Sequence, residues 1–495
     1  MKGFNLKLIL HILGLLLMFN AIFMGITTLY SYFQNDGITT GLLKALVLNV
    51  IVASLALGLT LNHRKEIKKR EGYVIVVFGW LIMVVFGMFP YMFTDTIATF
   101  TNAFFETMSG YTATGATILD DIEALPRSII LWRSLTHWMG GMGIIVLAIA
   151  ILPLLGIGGM QLFSAEAPVL GGDKLHPRIS DTAKRLWFIY VGLTLANALL
   201  LFVSGMPLFD AINHAMSTMA SGGFSTKNAS IGFWNDMPKI QYITIFFMIL
   251  AGSNFVLLYY AIKGKFKRVF ADTEFSWYSG FITVFALIVM ASLIRQEFYA
   301  TTDTSIFAVW EQSFRHALFQ VVAVITTTGL VTADFTSWTP FVTMLFFGLM
   351  FLGGSTGSTS GGVKVMRHLI LIKNGFLEFK RALHPNAILM VRMNKVTIEQ
   401  SIVYNVLAFF ILYMILFIIG AGVLSTLGLD FTTAIGAAAS SLGNVGPGLG
   451  EVGPASTFSS LPIFGKYWCS LLMLLGRLEL FTVLMLFTPY YWRNH

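Results

Sequence analysis

Four glycines stand at near-equal spacing along the chain, and each follows a residue with a hydroxyl group one or two positions earlier. Rings of backbone carbonyl oxygens replace the hydration shell of a cation in ion filters. Glycine permits the backbone angles that aim such carbonyls at one axis. The set is Gly115 in TATGA, Gly222 in MASGGF, Gly329 in TTTGLV and Gly443 in SSLGNV, with separations of 107, 107 and 114 residues. The pattern predicts a cation filter whose candidate binding residues are Thr114, Gly115, Ser221, Gly222, Thr328, Gly329, Leu442 and Gly443.

The segments around these glycines are the elements that must position them. Each glycine ends a helical, semi-polar segment that is too short to span a bilayer and too apolar for a free loop, so we expect a re-entrant helix. The negative C-terminal end of such a helix stabilises a cation. Longer apolar runs flank each segment, and we predict spans at 8–33, 42–61, 73–93, 128–155, 186–204, 239–262, 276–294, 339–376 (interrupted), 401–424 and 463–488.

The composition agrees with a polytopic membrane protein. Of 495 residues, 56% are hydrophobic and 11% are charged, against roughly 25% charged in soluble domains. The mean hydropathy is +0.76. Soluble enzymes, nucleic-acid-binding proteins and disulfide-built modules are therefore excluded, and the single Cys469 allows no intrachain disulfide. The net charge of +8 comes from basic clusters between apolar runs, which is typical of cytoplasmic loops rather than of nucleic-acid binding.

The distribution of charge predicts the topology. The run NHRKEIKKREG at 62–72 is strongly basic, which places it and the N-terminus in the cytoplasm. All four glycine units then have the same orientation, and parallel repeats about an axis along the membrane normal enclose a central pathway. The predicted fold is an all-α integral membrane protein with about ten transmembrane helices and four parallel span, re-entrant helix, span repeats. The expected units are two N-terminal helices with a basic loop at 1–72 and repeats at 73–185, 186–275, 276–400 and 401–495.

The chain resembles the TrkH and KtrB superfamily of bacterial potassium uptake proteins, and the TrkH branch most closely. The resemblance runs nearly end to end and is carried by SGYTATGAT (109–117), the run 132–166, SGGFST (221–226), TTTGL (326–330), GGSTGSTSGGVK (353–364), GNVGPG (443–448) and GRLELF (476–481). It implies potassium bound at Thr114, Gly115, Ser221, Gly222, Thr328, Gly329 and Gly443. It also implies a homodimer surrounded by lipid in the bacterial inner membrane, with a cytosolic TrkA-like regulatory ring that alone binds a nucleotide.

A gate is expected below the filter. The segment 353–364 contains five glycines and five hydroxyl residues, which a helix could hardly tolerate because each glycine costs up to about 1 kcal/mol. In the resembling superfamily the matching loop obstructs the pore, and an arginine matches Arg477. We predict that Arg477 repels or replaces a cation in the cavity and helps to hold this loop closed. The alternative for the loop is a plain kink or an interfacial turn, and the alternative for Arg477 is that it pairs with Glu479 or reaches the inner interface. The candidate gate residues are Gly353, Gly354, Gly357, Gly361, Gly362, Lys364 and Arg477.

Two other classes of function make predictions that differ from those of a pore. A secondary carrier that couples potassium to protons or sodium predicts inverted repeats and a buried acid, for which Glu106 is the candidate. An intramembrane enzyme needs a nucleophile with a base, or a metal cluster, inside the spans, and the sequence offers neither. His137, His214 and His316 lack paired metal-ligand spacing and are interpreted as packing residues.

Overall fold

The computed structural model describes residues 5–61, 68–146, 179–299, 305–387, 389–394 and 396–492. Most of the basic loop predicted at 62–72 and the end of the span predicted at 128–155 lie outside these residues. Two N-terminal helices, α1 (Leu6–Gln34) and α2 (Thr39–Leu59), pack against each other. Helix α1 also packs against the first repeat.

Four units of similar construction follow in the part of the chain that the structure describes. Each contains a first helix, a shorter re-entrant helix, an extended loop and a second helix. Their helices are α3 (Lys69–Gly87), α4 (Phe89–Phe93), α5 (Phe100–Tyr111) and α6 (Arg127–Val146); α7 (Ile179–Val203), α8 (Leu208–Met219), α9 (Pro238–Ala251), α10 (Phe255–Ile262) and α11 (Phe266–Phe270); α12 (Thr273–Arg295), α13 (Ile306–Ile325), α14 (Pro340–Leu349) and α15 (Val365–Leu383); and α16 (Gln400–Thr426), α17 (Phe431–Gly443), α18 (Ile463–Arg477), α19 (Phe481–Phe487) and α20 (Pro489–Trp492).

The lengths and composition of these helices confirm the all-α integral membrane fold. Among the described residues, six helices are long and apolar enough to cross a bilayer, and two bent pairs bring the number to as many as eight. Helix α6 and the interrupted α14–α15 segment complete the first and third units. A two-residue hairpin, β1 (Arg392–Met393) with β2 (Val396–Thr397), lies between α15 and α16.

The prediction of continuous second spans in repeats 2 and 4 is wrong. Helices α9 and α10 meet at 110°, and α18 and α19 meet at 118°. In repeat 2 the break lies at Gly252–Asn254, where the side chain of Asn254 accepts a hydrogen bond from the amide of Val256 and begins a new helix. In repeat 4, Glu479 and Leu480 have left-handed backbone, with φ of 57° and 31°. Among the described residues, the second helices of repeats 2, 3 and 4 are therefore interrupted.

The re-entrant helices bring their C-terminal ends together. Helices α5, α8 and α17 have 12, 12 and 13 residues, whereas α13 has 20. The start of α17 is fixed by Asp430, whose carboxylate accepts a hydrogen bond from the amide of Thr433, and the start of α13 is fixed in the same way by Ser305. These side chains satisfy amides that lack a partner within the helix.

Candidate ion filter and gate

The loops that follow the four re-entrant helices share one backbone conformation. The first residue with left-handed backbone is Ala113, Ser221, Thr327 or Asn444, with φ of 50°, 55°, 54° and 53°. Two residues later comes a glycine with positive φ, at Gly115, Gly223, Gly329 or Gly446. The amide of the intervening residue bonds to the carbonyl five positions earlier in every repeat: Thr114 to Ser109, Gly222 to Ser217, Thr328 to Ala323 and Val445 to Ser440, at 2.8–3.0 Å. The four loops are therefore structural equivalents.

These loops pack into a closed ring. A Cβ atom placed on the positive-φ glycine of each repeat would come within 3.0 Å of a carbonyl oxygen of the next repeat, closer than real Cβ atoms approach. The contacts run from Gly115 to Gly222, from Gly223 to Thr328, from Gly329 to Val445 and from Gly446 back to Thr114. Each contact requires glycine because of both the positive φ and the missing Cβ. The four carbonyls belong to the residue directly before the glycine, so the repeats contribute them in cyclic order.

The ring differs from the sequence alignment in two repeats. In repeat 2 the equivalent glycine is Gly223, and Gly222 supplies the carbonyl. In repeat 4 the equivalent glycine is Gly446, because Leu442 and Gly443 still belong to α17, which ends at the left-handed residue Asn444. The segments SGGF and GNVGPG each contain more than one glycine, and the sequence comparison of the four repeats used the first glycine of each segment. Thr114, Gly115, Ser221, Gly222, Thr328 and Gly329 lie in the four loops.

A cavity of about 170 Å³ lies on one side of the ring, and all four glycines line it. Asp120 also lines this cavity, and Asp121 lies in the same loop. A hydrogen bond from Asn228 Nδ2, 3.0 Å long, lowers the pKa of Asp121, which keeps its carboxylate ionised. Arg133 and Lys227 line the same cavity, so carboxylate and basic side chains both face it.

The segment 353–362 closes on itself on the other side of the ring. Its ends meet where Leu352 pairs with Val363, and the amide of Gly353 donates a 2.8 Å hydrogen bond to the Val363 carbonyl. A Cβ on Gly353 would collide with the Gly361 carbonyl, so only glycine allows the two strands to lie this close. The ammonium of Lys364 lies inside the turn and donates a 2.5 Å hydrogen bond to the Ser360 carbonyl.

This loop, which we call the crossing loop (353–362), lies directly against the first residues of the filter strands. The hydroxyl of Thr359 is 2.9 Å from the hydroxyl of Ser221 in repeat 2. The amide of Gly361 donates a 2.7 Å hydrogen bond to the hydroxyl of Thr327 in repeat 3. A Cβ on Gly361 would also meet the Asn444 side chain of repeat 4 at 2.7 Å. The partners of the crossing loop are the left-handed residues that begin the filter loops, so the crossing loop and the 170 Å³ cavity lie on opposite sides of the ring.

The crossing loop also fills the break between α9 and α10. The carbonyl of Gly252 accepts a hydrogen bond from the amide of Ser355 at 2.8 Å, and the carbonyl of Ala251 accepts one from the amide of Thr359 at 3.3 Å. The amide of Phe255 donates to the Gly357 carbonyl at 3.2 Å. These are the helix-end groups that lose their partners when a helix is interrupted. The loop of repeat 3 therefore satisfies the break in repeat 2.

Arg477 binds the crossing loop from repeat 4. Its side chain is buried, with Nη1 2.7 Å from the Thr359 carbonyl and Nη2 3.1 Å from the Gly140 carbonyl of α6. The alternative pairing with Glu479 is not formed, because Glu479 instead pairs with Arg367 at 2.6 Å. Arg367 lies near the start of α15, directly after the crossing loop. Two arginines thus connect the loop region to both sides of the break in repeat 4.

Sequence reasoning missed several residues of this site. Gly223, Gly446 and Val445 belong to the ring, and Thr359 makes the loop contacts. The second glycine of SGGF indicates Gly223, and the GPG of GNVGPG indicates Gly446. Nothing in the sequence distinguishes Val445 or Thr359. His137 and His214 pack behind the strands. The ring of His137 stacks on the ring of Phe224 with 3.9 Å between the ring centres, and His214 Nε2 is 2.9 Å from the Ser225 hydroxyl.

Together the fold and the ring define a multi-pass membrane protein with a fourfold pore architecture. Residues 40–493 match the TrkH family, described as a cation transport protein, and the chain belongs to that family. It is 39% identical over 493 residues to the Trk system potassium uptake protein TrkH of Salmonella typhimurium, covering 99% of this chain and 100% of the relative. The corresponding protein of Halomonas elongata is 40% identical over 494 residues, with the same coverage. The crystal structure of the potassium transporter TrkH from Vibrio parahaemolyticus aligns with a TM-score of 0.90 at 36% identity, covering 99% of this chain and 100% of that one.

Proposed function

We propose that this protein takes up potassium across the bacterial inner membrane through a single-chain pore, with its N-terminus in the cytoplasm. The closed ring of glycine and carbonyl contacts is the observation that carries the proposal. Carbonyl rings of this kind can replace the hydration shell of a cation. The names of the relatives, which are potassium uptake proteins and a potassium transporter, support potassium as the ion.

Potassium binds, in this proposal, to the carbonyls of Thr114, Gly222, Thr328 and Val445, with further ligands from the neighbouring loop residues. Each re-entrant helix ends within a residue or two of its loop, so four negative helix ends face the site. Leu442 and Gly443 act here as the end of a helix rather than as ligands. The four units at 73–185, 186–275, 276–400 and 401–495 each contribute one strand.

The crossing loop acts as the gate in this proposal. It lies against the inner ends of the strands and is held by Thr359, Lys364 and Arg477. Irregular backbone at membrane depth is tolerated where it lines a water-filled cavity or is buried in protein. Conduction requires the loop to move, and its polar contacts can re-form with water once it does.

Regulation is proposed to come from the cytoplasmic side. We infer that the protein is a homodimer that docks on a TrkA-like ring, and that the nucleotide binds to the ring. Helix α15 supports this assignment because it leads directly from the crossing loop to an exposed end. Phe376, Phe379 and Leu383 on that helix are largely exposed, and Lys380 and Arg381 lie in its last turn.

Cation flux into liposomes that contain the purified protein tests the function. Under a potassium gradient alone, we expect downhill flux that is indifferent to an added proton or sodium gradient. The alternative, a secondary carrier coupled to protons or sodium, predicts flux that depends strictly on the second gradient. Its candidate coupling acid, Glu106, is engaged by Arg133 at 2.9 Å, which favours the pore.

A further inference from the structure

A buried ion pair lies behind the filter strands of repeats 1 and 2. Glu106 of α5 and Arg133 of α6 meet at 2.9 Å between Nε and Oε1, and their side chains are 0% and 1% exposed. Desolvating two charges is costly, so a buried ion pair is weak evidence for stability by itself. Its partners indicate a different role.

Arg133 contacts both neighbouring strands at equivalent positions. Its Nη2 donates to the hydroxyl of Thr117 in repeat 1 at 3.3 Å, and its Nη1 donates to the carbonyl of Ser225 in repeat 2 at 3.2 Å. Each of these residues lies two positions beyond the filter glycine of its repeat. The guanidinium also lies 4.0 Å from the ring centre of Phe224, beside the second filter glycine. One planar group thus spans the boundary between two strands.

Glu106 fixes the first strand to its own re-entrant helix. Its carboxylate accepts 3.0 Å hydrogen bonds from the Thr117 hydroxyl and from the amide of Ile118. With the bond from Arg133, the carboxylate oxygens are well satisfied. The pair and the strand therefore form one connected network.

Repeats 2 and 3 brace their strands from the same place without a charge pair, whereas repeat 4 has an alanine there. The position seven residues before the left-handed residue is occupied by Glu106, His214, Gln320 and Ala437. His214 bonds to the Ser225 hydroxyl, and Gln320 Nε2 donates to the Thr332 hydroxyl at 3.4 Å. Only in repeat 1 does the brace extend through an arginine into the next repeat, within the described residues.

We propose that the Glu106–Arg133 pair is a positioning element that fixes the spacing of the first and second filter strands and so sets the preference for potassium over sodium. The inference rests on the proposed function. Strands held apart by the guanidinium cannot close around the smaller sodium ion. Loss of the planar fork allows the carbonyls of Thr114 and Gly222 to approach each other, and sodium is then accepted.

The test compares potassium and sodium flux into liposomes for Arg133→Lys and Glu106→Gln. Lysine keeps the positive charge of Arg133 but lacks the planar guanidinium that donates in two directions. Glutamine is the residue that repeat 3 already carries at the position of Glu106. We expect the potassium-to-sodium flux ratio to fall by about tenfold in each variant while potassium flux persists. Either variant suffices if the other fails to fold.

Arg315→Lys is the matched control. Arg315 is also a buried arginine, although it lies on the re-entrant helix α13, and it pairs with Glu311 at 2.8 Å, one turn away. It should keep the wild-type flux ratio. An unchanged ratio in folded Arg133→Lys and Glu106→Gln overturns this inference alone, as does an equal loss of both fluxes. A wild-type ratio near one overturns the proposed potassium pore and the inference with it.

Discussion

The Nη1 atom of Arg477 lies 2.7 Å from the carbonyl oxygen of Thr359, the residue through which the crossing loop also contacts repeat 2. One buried guanidinium from repeat 4 therefore holds the centre of a loop from repeat 3. The second nitrogen of the same group binds Gly140 of repeat 1. Contacts that involve all four repeats therefore hold the crossing loop in place.

Replacing Arg477 with alanine should open the gate. Two charge-assisted hydrogen bonds are lost, each worth about 1.5–3 kcal/mol, so we expect potassium flux to rise by about tenfold or more. Arg477→Lys keeps the charge with fewer aligned donors and should give an intermediate rate. Liposome flux of monodisperse protein measures this, and an unchanged or lower flux in Arg477→Ala would count against the closed-loop assignment.

The hydroxyl of Thr359 should matter independently of Arg477. It lies within hydrogen-bond distance of Ser221 Oγ and of the carbonyls of Met219 and Ala251, at 2.9–3.2 Å. Thr359→Val keeps the shape and removes these bonds, so we expect potassium flux to rise by about fivefold. Thr343→Val is the control, because the Thr343 hydroxyl donates to the carbonyl of Thr339, at the start of α14, and to no other partner among the described residues. Equal flux in the two variants would exclude a role for the Thr359 hydroxyl.

The ion pair between Arg367 and Glu479 should act as a second restraint on the gate. It joins the start of α15 to the break between α18 and α19, and Arg367 also lies 3.8 Å from the ring centre of Phe409. We expect Glu479→Gln to raise flux by about threefold, less than Arg477→Ala, because Glu479 is partly exposed. Glu378→Gln removes an exposed partner of Arg381 on the same helix and should leave flux unchanged. A Glu479→Gln rate equal to wild type would exclude this restraint.

The spans and the fourfold repeat could be predicted from the sequence because hydropathy and near-equal glycine spacing are local signals. The depth of Arg477 was also visible, since a charge inside an apolar run stands out. Which glycines are equivalent in the four loops could not be predicted, because SGGF and GNVGPG each contain several glycines. The distinguishing feature is the bond to the carbonyl five residues earlier, which depends on where the re-entrant helix ends.

The break in repeat 2 escaped prediction for a different reason. The sequence LAGSNF contains one glycine, which a spanning helix tolerates at a cost of about 1 kcal/mol. The break is stabilised by Ser355 and Thr359, about one hundred residues further along the chain. Tertiary partners that satisfy helix ends leave no mark in the local pattern.

The central claim is that Gly446 closes the carbonyl ring, and the potassium-to-sodium flux ratio of Gly446→Ala tests it most directly. Gly446 has a φ of 98° and would bring a Cβ to 2.7 Å from the Thr114 carbonyl oxygen. The control is Gly428→Ala, since Gly428 has a φ of 93° in the same repeat with open space around it. Both variants strain the backbone alike, but only the first disturbs the ring. We predict a ratio reduced by about tenfold in Gly446→Ala and a wild-type ratio in Gly428→Ala. Full selectivity in folded Gly446→Ala would contradict the account.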